Sequence, residues 1–241
     1  MRNADRETVF RFKQFDVVNR QSAMKVGTDG VLLGAWAASA GNSILDVGAG
    51  TGLIALMMAQ RFPDADVTAV EIDPVAVQEA AANFSASPWN QRLTAVCADF
   101  TSWISPDRKF DTIVSNPPFF TAGLRAPDSS RAAARHCDTL PLPVLFSQSY
   151  SMLAPEGVLS LILPQELDSE IEFMAVTAGL YPSRRCHVTT TPRKPAKRTL
   201  WEFSMADGPC RHSELSITDG NGAFTPEYIS LTRDFYLTSN K

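Results

Sequence analysis

The chain has 241 residues, 44% of them hydrophobic and 20% charged, enough to bury the core of one α/β domain of ordinary globular composition. No apolar run approaches the roughly 18 residues of a membrane span, and Met1-Arg2-Asn3-Ala4-Asp5-Arg6-Glu7 holds no signal-like stretch, so a cytoplasmic location is expected. A net charge of −4 argues against a wholesale nucleic-acid binder but leaves room for local basic patches.

In chain order, residues 9–18 alternate loosely and suggest a small hairpin. Residues 30–40 have helical spacing and good helix formers. A strand is expected at 44–47, a helix at 53–60 stopped near Pro63, and a strand at 67–71. Asp73 then supplies a helix N-cap and Pro74 the first helical position, with the helix running to about Phe84. Residues 93–97 and 110–115 read as strands, 143–153 as a helix, 158–163 as a strand and 166–178 as a helix. Strands at 186–191 and 199–205 have no helix between them, and a last helix runs from 226 to about 235. This alternation predicts a doubly wound parallel sheet with helices on both faces and one antiparallel strand at its edge. Ligands in such folds sit outside the carboxyl ends of the strands. With no repeat or long linker, residues 1–241 are expected to form a single domain, led by a hairpin/helix segment at about 1–41.

The cysteines Cys97, Cys137, Cys186 and Cys210 and the histidines His136, His187 and His212 are dispersed, with no Cys-x-x-Cys pair. Neither a zinc site nor a disulfide framework is expected, and no metal.

Asp46-Val47-Gly48-Ala49-Gly50-Thr51-Gly52 follows the first core strand and opens a helix. The glycines allow a tight turn and close backbone approach to a ligand. No Gly-Lys-Ser/Thr follows, which excludes a triphosphate loop, and the spacing is not that of a dinucleotide site. Asp46 would repel a pyrophosphate but suits a ligand bearing an ammonium group. Glu71, at the next strand end, can accept both hydroxyls of a ribose. At the third, Asp99 can accept from an adenine amine and Phe100 can stack on the base. Each acid alone could be a helix cap or a solvated loop residue. Together, beside a glycine loop, they describe a site for an adenosine carrying an amino acid without phosphate, namely S-adenosylmethionine.

Asn116-Pro117-Pro118-Phe119 ends the strand at 110–115. Neither proline has an N–H for a ladder, so the strand stops and a rigid elbow follows. The elbow offers the Asn116 amide, the Pro117 carbonyl and the Phe119 ring, the parts that hold a flat amine-bearing group; the bland alternative is a Pro-rich loop.

With these motifs the sequence resembles the Rossmann-like class I methyltransferases. The resemblance implies a seven-stranded, mostly parallel sheet with one antiparallel edge strand. The elbow is similar to that of members acting on planar amino nitrogens. It implies that Asn116 and Pro117 accept hydrogen bonds from the acceptor amine while Phe119 stacks on its plane. Two further stretches, Phe10-Arg11-Phe12-Lys13-Gln14-Phe15 and Ala23-Met24-Lys25-Val26-Gly27-Thr28-Asp29-Gly30-Val31-Leu32-Leu33-Gly34-Ala35-Trp36, resemble the bacterial tRNA1(Val) adenine-N6 methyltransferases. So do Ser87-Pro88-Trp89 and the segment at 226–237. This implies cofactor contacts from Lys25, Thr28 and Asp29 (which could equally cap the first helix), from Gly48, Gly50 and Gly52, and from Ile72 beside Glu71. Phe119-Phe120 stands where members often carry Tyr-Tyr, so a hydroxyl contact is lost.

The implied substrate is the adenine 3′ of the anticodon in a valine tRNA, a loop base that is cheap to flip. Candidate phosphate contacts are Arg125, Arg131 and Arg135 after the elbow, and Arg193, Lys194, Lys197 and Arg198 within the acid-free run at 181–200. About four such contacts predict a salt slope near −3. His136 could touch the substrate or be a plain loop residue. A monomer is expected. Glutamine methylation of release factors uses the same elbow chemistry, but such enzymes carry a helical domain for which the roughly 40 residues before the first core strand leave little room. A ribosomal RNA base N-methyltransferase and a non-catalytic cofactor-binding protein are the remaining alternatives.

Overall fold

The computed structural model describes residues 8–20, 26–103, 109–118 and 140–237. Lys25, Phe119, Arg125, Arg131, Arg135, His136 and Cys137 lie outside the described residues.

A short hairpin, β1 (Thr8–Arg11) and β2 (Asp16–Asn19), precedes helix α1 (Thr28–Trp36). Then β3 (Ser43–Val47), α2 (Leu53–Arg61), β4 (Asp66–Glu71), α3 (Pro74–Ala86), β5 (Leu93–Cys97) and β6 (Phe110–Ser115) follow. The second half runs α4 (Leu142–Met152), β7 (Leu153–Pro164), α5 (Asp168–Thr177), β8 (Tyr181–Thr189), β9 (Arg198–Ser204), β10 (Arg211–Ser216) and α6 (Pro226–Thr232). Local chemistry sets several boundaries. Asp73 caps α3 by accepting from the Val75 N–H at 2.9 Å, with Pro74 next in line. Thr225 does the same for α6 at Tyr228, again ahead of a proline.

Apart from the β1-β2 hairpin, the strands form one sheet in the order β10-β8-β9-β7-β6-β3-β4-β5. The α/β class expected from the sequence holds, with two corrections to the sheet. It has eight strands among the described residues, not seven, because β10 extends it beside β8. The antiparallel strand is β9, and it lies inside the sheet between β7 and β8 rather than at an edge. A hairpin links β8 to β9, so β9 must run backwards. It pairs with β7 from Val158 to Pro164, which satisfies the backbone of both strands within the sheet.

The pleat divides the core into two layers. Ile44 of β3 faces the cluster built on α1, α2 and α3, while Leu45 and Val47 face the cluster built on α4 and α5. Helix α2 is buried from Leu53 through Ala59, wedged between the sheet and α1. Gly34 permits that approach, since a Cβ there would lie 2.7 Å from the Met57 sulfur.

Parallel registers bring four strand ends level. Val47 lies opposite both Val70 and Ser115, and Glu71 opposite Cys97. The next residues in line are Gly48, Ala98 and Asn116. Because β9 is antiparallel and starts at Arg198, opposite Pro164 and Val188, the loop from β8 to β9 overhangs this same edge.

Candidate active site

The turn after β3 places Gly48, Gly50 and Gly52 at φ of 69°, 55° and 82°, a region that side-chain-bearing residues avoid. Their surroundings differ. A Cβ on Gly48 or Gly50 would meet nothing within 4 Å, so this backbone faces open space. A Cβ on Gly52 would strike the Phe84 ring at 2.4 Å, so Gly52 closes the turn against α3 instead.

Glu71 holds the turn in place. Its Oε2 accepts from Gly50 N–H at 2.9 Å, and its Oε1 accepts from Ile72 N–H and Asp73 N–H at 2.8 and 3.0 Å. Oε1 is thereby filled, while Oε2 keeps one lone pair for a further donor. Ile72 is 44% exposed beside it, an apolar surface at a strand end.

Asp46 does not reach this space. The pleat turns residue 46 to the same side as Ile44, towards α2. There its Oδ2 accepts from the Ala55 N–H at 3.0 Å, and Oδ1 is buried without a partner. Burial, with Glu71 adding repulsion, pushes its carboxyl up to about 7 despite that hydrogen bond. A direct contact between Asp46 and a ligand, expected from the motif, is therefore corrected to a supporting role beneath the loop. Phe100 is corrected likewise. It is 5% exposed and belongs to the α4–α5 side of the core, so its ring is spent on packing rather than on a base. Asp99 is exposed and accepts from the Thr101 N–H at 2.8 Å in a local turn.

Across the glycine turn, Asn116 is half-buried and makes no side-chain hydrogen bond among the described residues. Pro117 is buried behind it. Ser115 anchors the elbow by donating to the Val47 carbonyl at 2.7 Å. The elbow, the glycine turn and the start of α1 enclose one cleft of about 570 Å³, a size typical of small-molecule sites. Thr28 and Asp29 line it from the first turn of α1, whose N-cap is Gly27. Among the described residues lining it, Asp29 is the one that is charged. Such a cleft suits a cationic ligand without phosphate.

A family profile described as Methyltransferase small domain matches residues 12–177. A tRNA1(Val) (adenine(37)-N6)-methyltransferase of Bacteroides fragilis is 46% identical over 95% of this chain and 97% of its own length. Those of Porphyromonas gingivalis (46%, covering 96% of each chain) and Vibrio parahaemolyticus (44%, covering 95% of each) agree. The chain belongs to the tRNA1(Val) (adenine(37)-N6)-methyltransferase family.

Solved structures support the fold. An Agrobacterium tumefaciens protein described as a predicted O-methyltransferase superposes with a TM-score of 0.66 at 22% identity, covering 86% of this chain and 96% of that one. The glycopeptide N-methyltransferase MtfA with bound S-adenosylmethionine gives 0.57 at 14% identity, covering 77% and 91%. This methyltransferase thus has the Rossmann-like class I fold and uses S-adenosylmethionine. Open glycine backbone and, among the described residues, a lining whose one charge is an acid fit that cofactor's charge.

The basic run at 181–200 divides on inspection. Arg193, Lys194 and Lys197 are exposed on the loop that overhangs the cleft edge of the methyltransferase. Arg198 is corrected from an RNA contact to an internal partner, since its Nε donates to Asp29 Oδ2 at 2.8 Å. Arg184 stacks on Trp36 with its guanidinium carbon 3.6 Å from the ring centre, and it pairs with Glu202 at 2.8 Å. Arg185 donates to His212 at 2.6 Å. Sequence reasoning missed Asn83, which donates to the Thr51 and Val18 carbonyls at 2.9 and 3.1 Å and ties the glycine turn to the leading hairpin. Its signal was an asparagine on the buried stripe of α3, where a polar side chain needs partners.

No helix among the described residues is long and apolar enough to cross a membrane. No cluster of three or more His, Cys, Asp or Glu residues that could hold a metal occurs among them.

Proposed function

We propose that this protein transfers a methyl group from S-adenosylmethionine to the N6 amine of the adenine 3′ of the anticodon in tRNA1(Val). The observation that carries this reading is Asn116, whose amide has no other side-chain partner among the described residues, standing across the cleft from the open glycine turn. The bound cofactor supplies an already activated sulfonium methyl. The chain's own task is to position the acceptor and to take hydrogen bonds from its NH₂ as positive charge builds there. The Asn116 side-chain carbonyl and the Pro117 backbone carbonyl are the proposed acceptors, and both residues line the cleft. An exocyclic amine needs no strong base if its protons are held this way.

On the cofactor side, Gly48 and Gly50 allow close backbone approach, and Glu71 Oε2 has a lone pair left for a ribose hydroxyl. Ile72 offers an apolar surface, and Thr28 and Asp29 face the amino-acid end. Asp99 is exposed and can accept from an adenine amine. Arg193, Lys194 and Lys197 are proposed to meet the phosphates of the anticodon stem-loop. We read residues 1–241 as a single methyltransferase domain with its leading segment at about 1–41, working as a monomer in the cytoplasm.

The test is nucleoside mass spectrometry of valine tRNA from cells with and without the gene. N6-methyladenosine disappearing from that position in the deletion strain supports the reading. Its persistence there contradicts it.

A further inference from the structure

Arg198 opens β9, and its guanidinium reaches both Asp29 and the Lys197 carbonyl. Its Nε donates to Asp29 Oδ2 at 2.8 Å, and its Nη1 donates to the Lys197 carbonyl at 3.0 Å. Asp29 lines the cleft from the first turn of α1. Lys197 closes the exposed basic loop, whose backbone is pinned at that point on both sides. The Lys197 N–H donates to the Val188 carbonyl at 3.0 Å, and the Gln165 N–H donates to the Lys197 carbonyl at 3.2 Å. One side chain thus joins the loop facing outward over the cleft edge to Asp29 in the cleft lining.

The pair is 31% and 30% exposed. At that exposure an ion pair contributes little to folding, so its importance is in what it joins. Lys197 and Arg198 are neighbours in the chain, so a phosphate held by the loop acts on the guanidinium directly, and the guanidinium sets where the Asp29 carboxylate points. Arg193, Lys194 and Lys197 are exposed and of one sign, which suits phosphates. Phosphate binding at the loop therefore bears on Arg198 and, through it, on Asp29.

We propose that Arg198 is a positioning residue that couples phosphate binding on the loop at 190–197 to cofactor affinity in the cleft, acting through Asp29. This rests on reading the cleft as the S-adenosylmethionine site and the loop as facing RNA. Such coupling is reciprocal, so the cofactor must tighten RNA binding by the same factor.

The experiment is calorimetric titration of S-adenosylhomocysteine into the full-length protein, with and without a saturating anticodon stem-loop RNA. In the unaltered protein the RNA is expected to tighten binding about fivefold or more. In Arg198→Ala, and in Arg198→Met, which keeps the packing of the stem, that factor falls to within about twofold of one. Arg198→Lys keeps the charge and restores most of the coupling, which a merely structural role would not require. An undiminished factor in Arg198→Met, or a native protein that binds both ligands independently, overturns the inference alone. A native protein that fails to bind the RNA overturns the RNA reading, and this inference with it.

Discussion

Replacing Asn116 by alanine removes one of the two carbonyl acceptors at the elbow while leaving the strand and both prolines in place. We expect turnover to fall by about 100-fold or more, with S-adenosylhomocysteine affinity within a few-fold of the native protein. Single-turnover kinetics and titration check the two halves separately, and full activity in Asn116→Ala would remove the mechanism. Asp46 makes a different prediction. Its carboxyl is raised to about 7 in the folded protein, so it holds a proton that the unfolded chain releases near pH 4. The stability this gives is complete below pH 4 and is lost as pH rises to about 7, at about 1.4 kcal/mol per pH unit. Asp46→Asn keeps an acceptor for the Ala55 N–H and does not titrate. Urea unfolding at pH 5, 6 and 7 should show the native protein losing ground to this variant as pH rises; a constant difference between them would show that Asp46 stays ionised. The sequence announced this acid through its place in the glycine motif. What it could not give was the side of the sheet, which is set by the pleat one residue at a time.

At the scale of elements, the loop from β8 to β9 carries three exposed cations after Arg198 is assigned to Asp29. Replacing Arg193, Lys194 and Lys197 together by alanine should flatten the dependence of log RNA affinity on log salt by about 2, at about 0.7 per phosphate contact. Filter binding over a salt series measures it, and an unchanged slope would remove the loop from the RNA surface. Helix α1 depends on glycine where it meets α2. Gly34→Ala puts a Cβ 2.9 Å from the Met57 Cβ, which cannot swing away as a chain end can. Denaturant unfolding should show a loss of about 1–3 kcal/mol, more than the ~1 kcal/mol that alanine gains as a helix former; a more stable variant would mean α1 shifts freely. Elements with strong local signals were legible: the Asp73-Pro74 start of α3 stands where its residues put it. Strand β10 was not, because Arg-His-Ser-Glu-Leu-Ser is mostly exposed at the sheet margin and carries little apolar alternation. Phe100 misled for the opposite reason, since an aromatic after a strand-end acid reads alike whether it faces a ligand or the core.

Across the whole molecule, the alternation of strands and helices was enough to give the doubly wound class, because each buried strand needs helices over both faces. The position of β9 was not, since lateral order in a sheet depends on which edges remain open when the hairpin forms. That same topology brings the basic loop, the elbow and the glycine turn to one edge, and it makes the cleft and the proposed RNA-facing surface neighbours. The resulting claim is that the flat amine accepted at Asn116 belongs to an adenine of tRNA1(Val). Purified protein with methyl-labelled S-adenosylmethionine, offered unmodified tRNA1(Val) or a release factor in parallel, tests it most directly. The account predicts label in the tRNA alone, recovered after digestion as N6-methyladenosine from the position 3′ of the anticodon. Label in the release factor and none in the tRNA would contradict it.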